Sequence, residues 1–329
     1  MTMAQAKLLS IVVPVFNEAC SIETFCNAVE QIVDNFPAPS GTALNTEVIF
    51  VNDGSSDETR AEILRQNRRF KIGLINFSRN FGKEAALTAG LKEANGDAVV
   101  VIDVDLQDPP SLIVEMVAHW FDGEKLVLGR RTDRSEDSFL KRLTAGLFYR
   151  LHNRISEIQI PNNVGDFRLM DRTVVDAVNS LDENRRFMKG IFAWVGFEPV
   201  YVDYARISRS SGESKFSGWK LWRLAVEGIT GFSDLPLVIW TYVGAIISSI
   251  SFTYAGYIVL RTLVWGIDVP GYASLLVGIL FMGGIQIVGI GVLGEYLGRV
   301  YAEVKHRPIY IVESRRELPS KDKESLPDA

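Results

Sequence analysis

Residues 98–110 read AVVVIDVDLQDPP: an unbroken apolar run, Ala98 to Ile102, that ends in Asp103, Asp105, Gln107 and Asp108 ahead of Pro109-Pro110. A short apolar run without alternation is the pattern of a strand buried on both faces, as in a parallel sheet covered by helices. Three carboxylates and a carboxamide then crowd the turn where that strand stops, and they repel one another. Asp108 before the two prolines suits a helix start. A hard divalent cation is the other way to relieve the repulsion, because it takes oxygen ligands and brings phosphate oxygens with it.

Reading outward from this stretch, apolar strands alternate with amphipathic helices from Leu8 to about Gly129. The predicted strands are Leu9–Val15, Glu47–Asn52, Ile72–Phe77, Ala98–Asp103 and Leu126–Gly129, with helices over Ser56–Arg68 and Lys83–Ala94 among those between them. The expectation is an α/β domain on a mostly parallel sheet. Ligands of such sheets sit beyond the carboxyl ends of the strands. Asn17-Glu18, Asp53, Arg79-Asn80 and the Asp103–Asp108 turn all fall there.

The 329 residues are 23% charged with a formal net charge of −5, so no basic field points to nucleic acid. Mean hydropathy is +0.11, and the excess is concentrated. Residues 235–260 and 269–294 carry no charge; as helices each would run about 39 Å, against a hydrocarbon core of about 30 Å. Two transmembrane helices are expected. Arg206, Arg209, Lys215, Lys220 and Arg223 precede the first, and Arg299, Lys305, Arg307, Arg315 and Arg316 follow the second, while the connection between them has Arg261 alone. That asymmetry predicts cytoplasmic termini joined by a short outside hairpin. The N-terminus lacks a signal-peptide pattern. Cys20 and Cys26 lie out of phase on one predicted helix and fit a reducing compartment.

Residues 137–155 place an apolar face opposite Lys141, Arg142, Arg150 and Arg154. A core-packed helix with a solvated basic face and a helix in the membrane interface both fit. Residues 217–232, with Trp219 and Trp222 beside Lys220 and Arg223, read as an interfacial helix. Glu313 to Ala329 reads as a disordered tail. Small residues in both spans permit association into a homo-oligomer. Gly289-x-Gly291-x-x-Gly294 has dinucleotide-loop spacing but lies inside an apolar span, where it serves helix packing. His119, His152 and His306 are too scattered for zinc.

What remains is an ordered set: IVVPVFNE ending at Glu18, VNDGSSD ending at Asp57, SRNFGK ending at Lys83, and DVDLQDPP over 103–110. In order and spacing this set resembles glycosyltransferase family 2, over about residues 8–130. With the two apolar spans it looks most like the polyprenyl-phosphate glycosyltransferases, the group of dolichol-phosphate mannose synthases and bacterial undecaprenyl-phosphate glucosyltransferases. The resemblance implies a GT-A fold, a UDP- or GDP-sugar donor, a polyprenyl phosphate acceptor and Mg²⁺ or Mn²⁺. It implies a nucleotide site of Pro14, Asn17, Glu18, Asp53, Arg79, Lys83 and Asp103, and a metal set of Asp103, Asp105 and Gln107. Acceptor phosphate would fall to Arg130, Arg131 and Arg134 and to Arg209, Ser214 and Lys215, although basic residues near a membrane also serve anionic lipids. Asp105, Arg209 and Lys215 would be catalytic, together with Asp166, which lies where many relatives keep a base. A lipid phosphate needs no deprotonation, so Asp166 is equally a positioning residue.

The domain boundaries that follow are 1–135 for the nucleotide-sugar core, 136–216 for the acceptor side, 217–234 for the interfacial helix, 235–261 and 270–297 for the spans, and 298–329 for a cytoplasmic tail. The expected activity is inverting sugar transfer to a polyprenyl phosphate at the cytoplasmic face of a membrane, a bacterial inner membrane being favoured. Alternatives are a polysaccharide synthase, whose Gln-x-x-Arg-Trp motif is missing here, and a non-catalytic sugar-nucleotide-binding scaffold, which has no use for adjacent carboxylates.

Overall fold

The computed structural model describes residues 6–37, 39, 42–132, 164–184, 186–205, 235–265 and 271–321. The central strands are β1 (Lys7–Val15), β2 (Leu44–Asn52), β3 (Lys71–Phe77) and β4 (Ala98–Val101), joined by α1 (Ala19–Val33), α2 (Thr59–Leu64) and α3 (Lys83–Glu93). After β4 come α4 (Leu112–Phe121), β5 (Leu126–Arg131), β6 (Val164–Asp171), α5 (Arg172–Asn179), α6 (Met188–Trp194) and β7 (Val200–Tyr204). Two long helices, α7 (Leu235–Trp265) and α8 (Tyr272–Val304), precede β8 (Val312–Leu318).

The strands make one sheet in the order β7-β5-β6-β4-β1-β2-β3-β8. Its centre is parallel as expected, β3 to β2 to β1 to β4, while β6 runs antiparallel between β4 and β5 and β8 runs antiparallel along β3. Burial on both faces explains the continuous apolar runs. Val100 and Ile102 pack on one face with Ile22, Phe25 and Met116 of α1 and α4. Val99 and Val101 pack on the other with Leu87 and Leu91 of α3 and Val175 of α5. The strand ends at Val101, two residues before Asp103, and α2 closes at Leu64, well short of Arg68.

The disordered tail expected from Glu313 onward is corrected for its first part. Val312–Leu318 pairs with β3 along what would be an open sheet edge. Its charges are those of an edge strand rather than of disorder: Glu317 meets Lys71 at 2.8 Å and Glu313 meets Arg60 at 3.8 Å. The helices expected over 137–155 and 217–232 fall outside the described residues. Cys20 and Cys26 are both free, the first exposed and the second buried.

α7 and α8 have 31 and 33 residues, and each is long and apolar enough to cross a membrane, over Leu237–Tyr254 and Phe281–Val304. A soluble protein's core helix passes the same test when it is buried, but these are not: Phe252 is 79% exposed and Trp265 77%.

Candidate active site

Strand parity builds the site. Continuing from Val99 and Val101, Asp103 leaves β4 on the face that carries α3, and Asp166 and Arg168 project to the same face from β6. Lys83, the first residue of α3, meets both carboxylates: its Nζ lies 2.7 Å from Asp103 Oδ1 and 2.7 Å from Asp166 Oδ2. Desolvation works against the ammonium, but Asp103 and Asp166 outweigh it and hold Lys83 above the ordinary lysine range. Burial alone would raise Asp166, yet Lys83, Lys189 and Arg168 overcome it and keep that carboxyl at about 2. Asp103 goes the other way. Its burial, with the charges of Asp166 and Asp105, exceeds the help of Lys83 and pushes it up.

The loop before α3 is fixed by Asp53. This buried carboxylate accepts the Phe81 amide at 2.6 Å and the Gly82 amide at 2.9 Å. Gly54 lets the loop come close: its φ is +67°, and a Cβ there would stand 2.3 Å from the Arg79 carbonyl carbon. Arg79 lies with its guanidinium 4.0 Å over the Phe81 ring. Opposite, Asn17 takes a left-handed φ of 56°, which asparagine tolerates. Its side-chain oxygen accepts the Ser56 amide at 2.9 Å, and the Glu18 amide donates to Thr59 Oγ1 at 2.9 Å. The ends of β1 and β2 are therefore laced together, the Asp53 amide also donating to the Val15 carbonyl at 3.0 Å, and Pro14 lies one residue before the end of β1, beside Val51 of β2.

The Asp103–Asp108 turn divides its acids. Leu106 has φ 56°, an uncommon conformation for a branched side chain and of the kind that collects at functional sites. The Gln107 amide donates to Asp105 Oδ1 at 3.2 Å. Gln107 Oε1 is buried with no hydrogen-bond partner among the described residues. Asp105 is part-exposed, and its charge acts on Asp103. These donors fit a hard divalent ion. No group of three His, Cys, Asp or Glu side chains suited to a metal gathers among the described residues, so any such ion would need oxygen ligands from Gln107, from water or from a bound phosphate as well. Asp108 is committed elsewhere: it is buried, accepts from the Tyr204 hydroxyl and pairs with Arg131 at 3.3 Å.

Arg131 is brought to the Asp103–Asp108 turn through Asp108, Arg130 precedes it on β5, and both have carboxylate partners. Arg130 forks onto Asp203, Nε to Oδ1 at 2.6 Å and NH2 to Oδ2 at 2.8 Å. Arg134, Arg209, Ser214 and Lys215 lie outside the described residues. The structure adds side chains that sequence reasoning did not single out. Glu84 accepts the Met188 amide at 2.9 Å. Lys189 of α6 acts on Asp166 and Glu84. Asp203 and Tyr204 of β7 hold the two arginines of β5. Arg168 is buried, donates to the Gly165 and Asp166 carbonyls at 2.8 and 3.2 Å, and lies 3.9 Å over Phe192. Only Glu84, beside Lys83, had a local signal.

Residues 10–178 match the family model described as glycosyl transferase family 2. The chain belongs to glycosyltransferase family 2. It is a glycosyltransferase on a mixed, GT-A-like sheet. Among relatives of this family 2 enzyme, the bactoprenol glucosyl transferase of Shigella phage SfV is 51% identical, with 94% of this chain and 99% of that protein aligned. An uncharacterized glycosyltransferase of Synechocystis is 49% identical, covering 92% of this chain and 94% of its own length. A solved glucosyl-3-phosphoglycerate synthase from Mycobacterium tuberculosis is a distant likeness, with TM-score 0.44 and 18% identity over 68% of this chain and 78% of that one.

Proposed function

We propose that this family 2 enzyme moves a sugar, glucose in the favoured case, from a UDP- or GDP-sugar to the phosphate of a polyprenyl lipid at the cytoplasmic face of a membrane, with inversion at the anomeric carbon. One observation carries the reading: half-identity to a bactoprenol glucosyl transferase runs across 94% of the chain, through both exposed apolar helices as well as the sheet domain. A sugar-nucleotide enzyme has reason to keep such helices when its acceptor lives in the bilayer.

In this reading Asp103, Asp105 and Gln107 hold Mg²⁺ or Mn²⁺, whose charge would stabilise the departing nucleoside diphosphate. Pro14, Asn17 and Glu18 wall the nucleotide pocket. Asp53 sets the loop that presents Arg79 and Lys83 to the phosphates, both of its oxygens already receiving amides of that loop. Arg130 and Arg131 are engaged by carboxylates, so the acceptor phosphate falls chiefly to Arg134, Arg209, Ser214 and Lys215, ahead of α7. Paired with Lys83 as it is in the donor-free site, Asp166 is held at about 2 and is a poor proton acceptor near neutrality. A lipid phosphate with a second pKa of about 6 does not need one. Asp166 therefore positions rather than deprotonates.

The test uses purified full-length protein in detergent with undecaprenyl phosphate, Mg²⁺ or Mn²⁺ and a panel of labelled UDP- and GDP-sugars. Label should enter the organic phase from one donor and stop with EDTA. Asp105→Asn should lose at least about a hundredfold in rate while its unfolding temperature stays within a few degrees of wild type. Undiminished transfer by that variant would remove the metal set. Transfer from no donor, with nucleotide still bound, would remove the polyprenyl acceptor.

A further inference from the structure

The β4–β6 ladder creates a charge conflict inside the site. It pairs Val100 with Leu169 and Val101 with Arg168, so the same register carried two residues further sets Asp103 opposite Asp166. Like charges directly across a strand pair repel. Both carboxylates are also drawn out of water, with side chains 32% and 19% exposed.

Lys83 resolves the conflict. Its Nζ lies 2.7 Å from Asp103 Oδ1, 2.8 Å from Asp103 Oδ2 and 2.7 Å from Asp166 Oδ2. An ammonium has three donors and no acceptor, and here three carboxylate oxygens surround it as oxygens surround a hard cation. Its placement is fixed from behind, because Asp53 holds the amides of Phe81 and Gly82 directly before it. The lysine side chain as a whole is nonetheless 42% exposed, so it is not locked in a closed core.

We infer that Lys83 is the internal counter-cation of the donor-free site, neutralising Asp103 and Asp166 until a divalent ion and a nucleoside diphosphate arrive together. This rests on the metal reading of Asp103 under the proposed function. An ion arriving alone must evict an ammonium that has no better partner. An ion arriving with a diphosphate leaves that ammonium an anionic partner on the donor itself. Lys83 thereby couples the two binding events. Metal affinity is low without nucleotide and high with it, and by linkage nucleotide affinity depends on the metal to the same factor. Lys189, which acts on Asp166 from α6, keeps that carboxylate compensated when Lys83 leaves.

The coupling is testable without turnover. Mn²⁺ binding to the purified full-length protein is read from loss of the free-ion electron paramagnetic resonance signal, with and without UDP. Wild type should bind Mn²⁺ about tenfold more tightly with UDP than without it. Lys83→Met should bind Mn²⁺ without UDP about tenfold more tightly than wild type, since the competing charge is gone, and UDP should then add less. Lys83→Arg keeps the charge and should keep the low metal affinity. Lys83→Gln is run beside Lys83→Met so that a folding defect in one variant does not decide the result. If wild type binds Mn²⁺ with UDP but neither neutral variant binds it more tightly without UDP, the inference is overturned and the metal reading stands. If wild type binds no Mn²⁺ in either condition, both fall.

Discussion

Glu84 is the residue whose protonation should be visible in stability. Its carboxyl is pushed up to about 7, by burial first and by the charge of Asp166 second, against the help of the Met188 amide. The folded protein then holds a proton that the unfolded chain releases near the usual glutamate value of about 4.3. Stability from this group is complete below that value and is lost as pH rises through about 7. Glu84→Gln fixes the neutral form and can still accept the Met188 amide. Its unfolding temperature should therefore fall less than that of wild type between about pH 5 and pH 8, the gap reaching several degrees at the upper end. Parallel curves for the two proteins, measured by thermal melts in detergent, would show that Glu84 is ionised throughout. At this scale the sequence exposes the acids that end parallel strands, because Asp53, Asp103 and Asp105 each follow an apolar run. It hides partners that come from far along the chain: Met188 meets Glu84 across 104 positions, and Tyr204 meets Arg131 across 73. Strand parity gives a residue's face but not the strand beside it: Arg131 meets Tyr204 because β7 pairs with β5, and Glu84 meets Met188 because α6 packs back on the start of α3.

Among the elements, β8 was the least legible, since a run of alternating charges reads as a solvated tail until a sheet edge is present to receive it. Its position links the end of α8 to the site. Tyr310 stacks on Phe77 with centroids 4.9 Å apart, and Phe77 meets Phe81 edge-on at 5.7 Å. The Ser78 amide donates to the Ile311 carbonyl at 3.1 Å, and Asn76 donates to Ser314 Oγ at 3.0 Å. The strand segment thus braces the loop that Asp53 holds from the other side. Tyr310→Ala should cost about 1–3 kcal/mol of stability, as for loss of a half-buried ring. Under the proposed function, in which the Arg79–Lys83 loop meets the diphosphate, it should also raise the KM for donor several-fold with a smaller change in kcat. Tyr310→Phe keeps the stacked ring and should restore both. A lowered melting temperature with an unchanged donor KM would make β8 a stabilising strand with no part in shaping the site.

Across the whole molecule, helix length and charge placement bear on how the sheet domain would stand on a membrane under the proposed function. The 33 residues of α8 make about 50 Å of helix, well beyond a hydrocarbon core of about 30 Å. The surplus is at the C-terminal end, where Glu295 and Arg299 pair at 3.3 Å and Glu303 accepts from the Asn184 backbone and side chain at 3.0 and 3.1 Å. The last turn of α8 therefore touches the sheet domain at Glu303, and β8 enters the sheet after a short connection. If α7 and α8 both cross, residues 266–270 must lie on the opposite side from the site. The cysteines provide the test, since Cys20 is exposed on α1 and Cys26 is buried. In inverted membrane vesicles a membrane-impermeant maleimide should label Cys20, and in right-side-out vesicles it should not. In a Cys20→Ser background, Gly266→Cys should show the reverse. The asymmetry should be near complete in sealed vesicles, because a charged reagent is held out by the same desolvation cost that keeps charges out of the spans. Labelling of both positions from one side would mean that the two helices lie along the membrane surface, and the acceptor phosphate would then have to be reached from above the bilayer rather than beside a span.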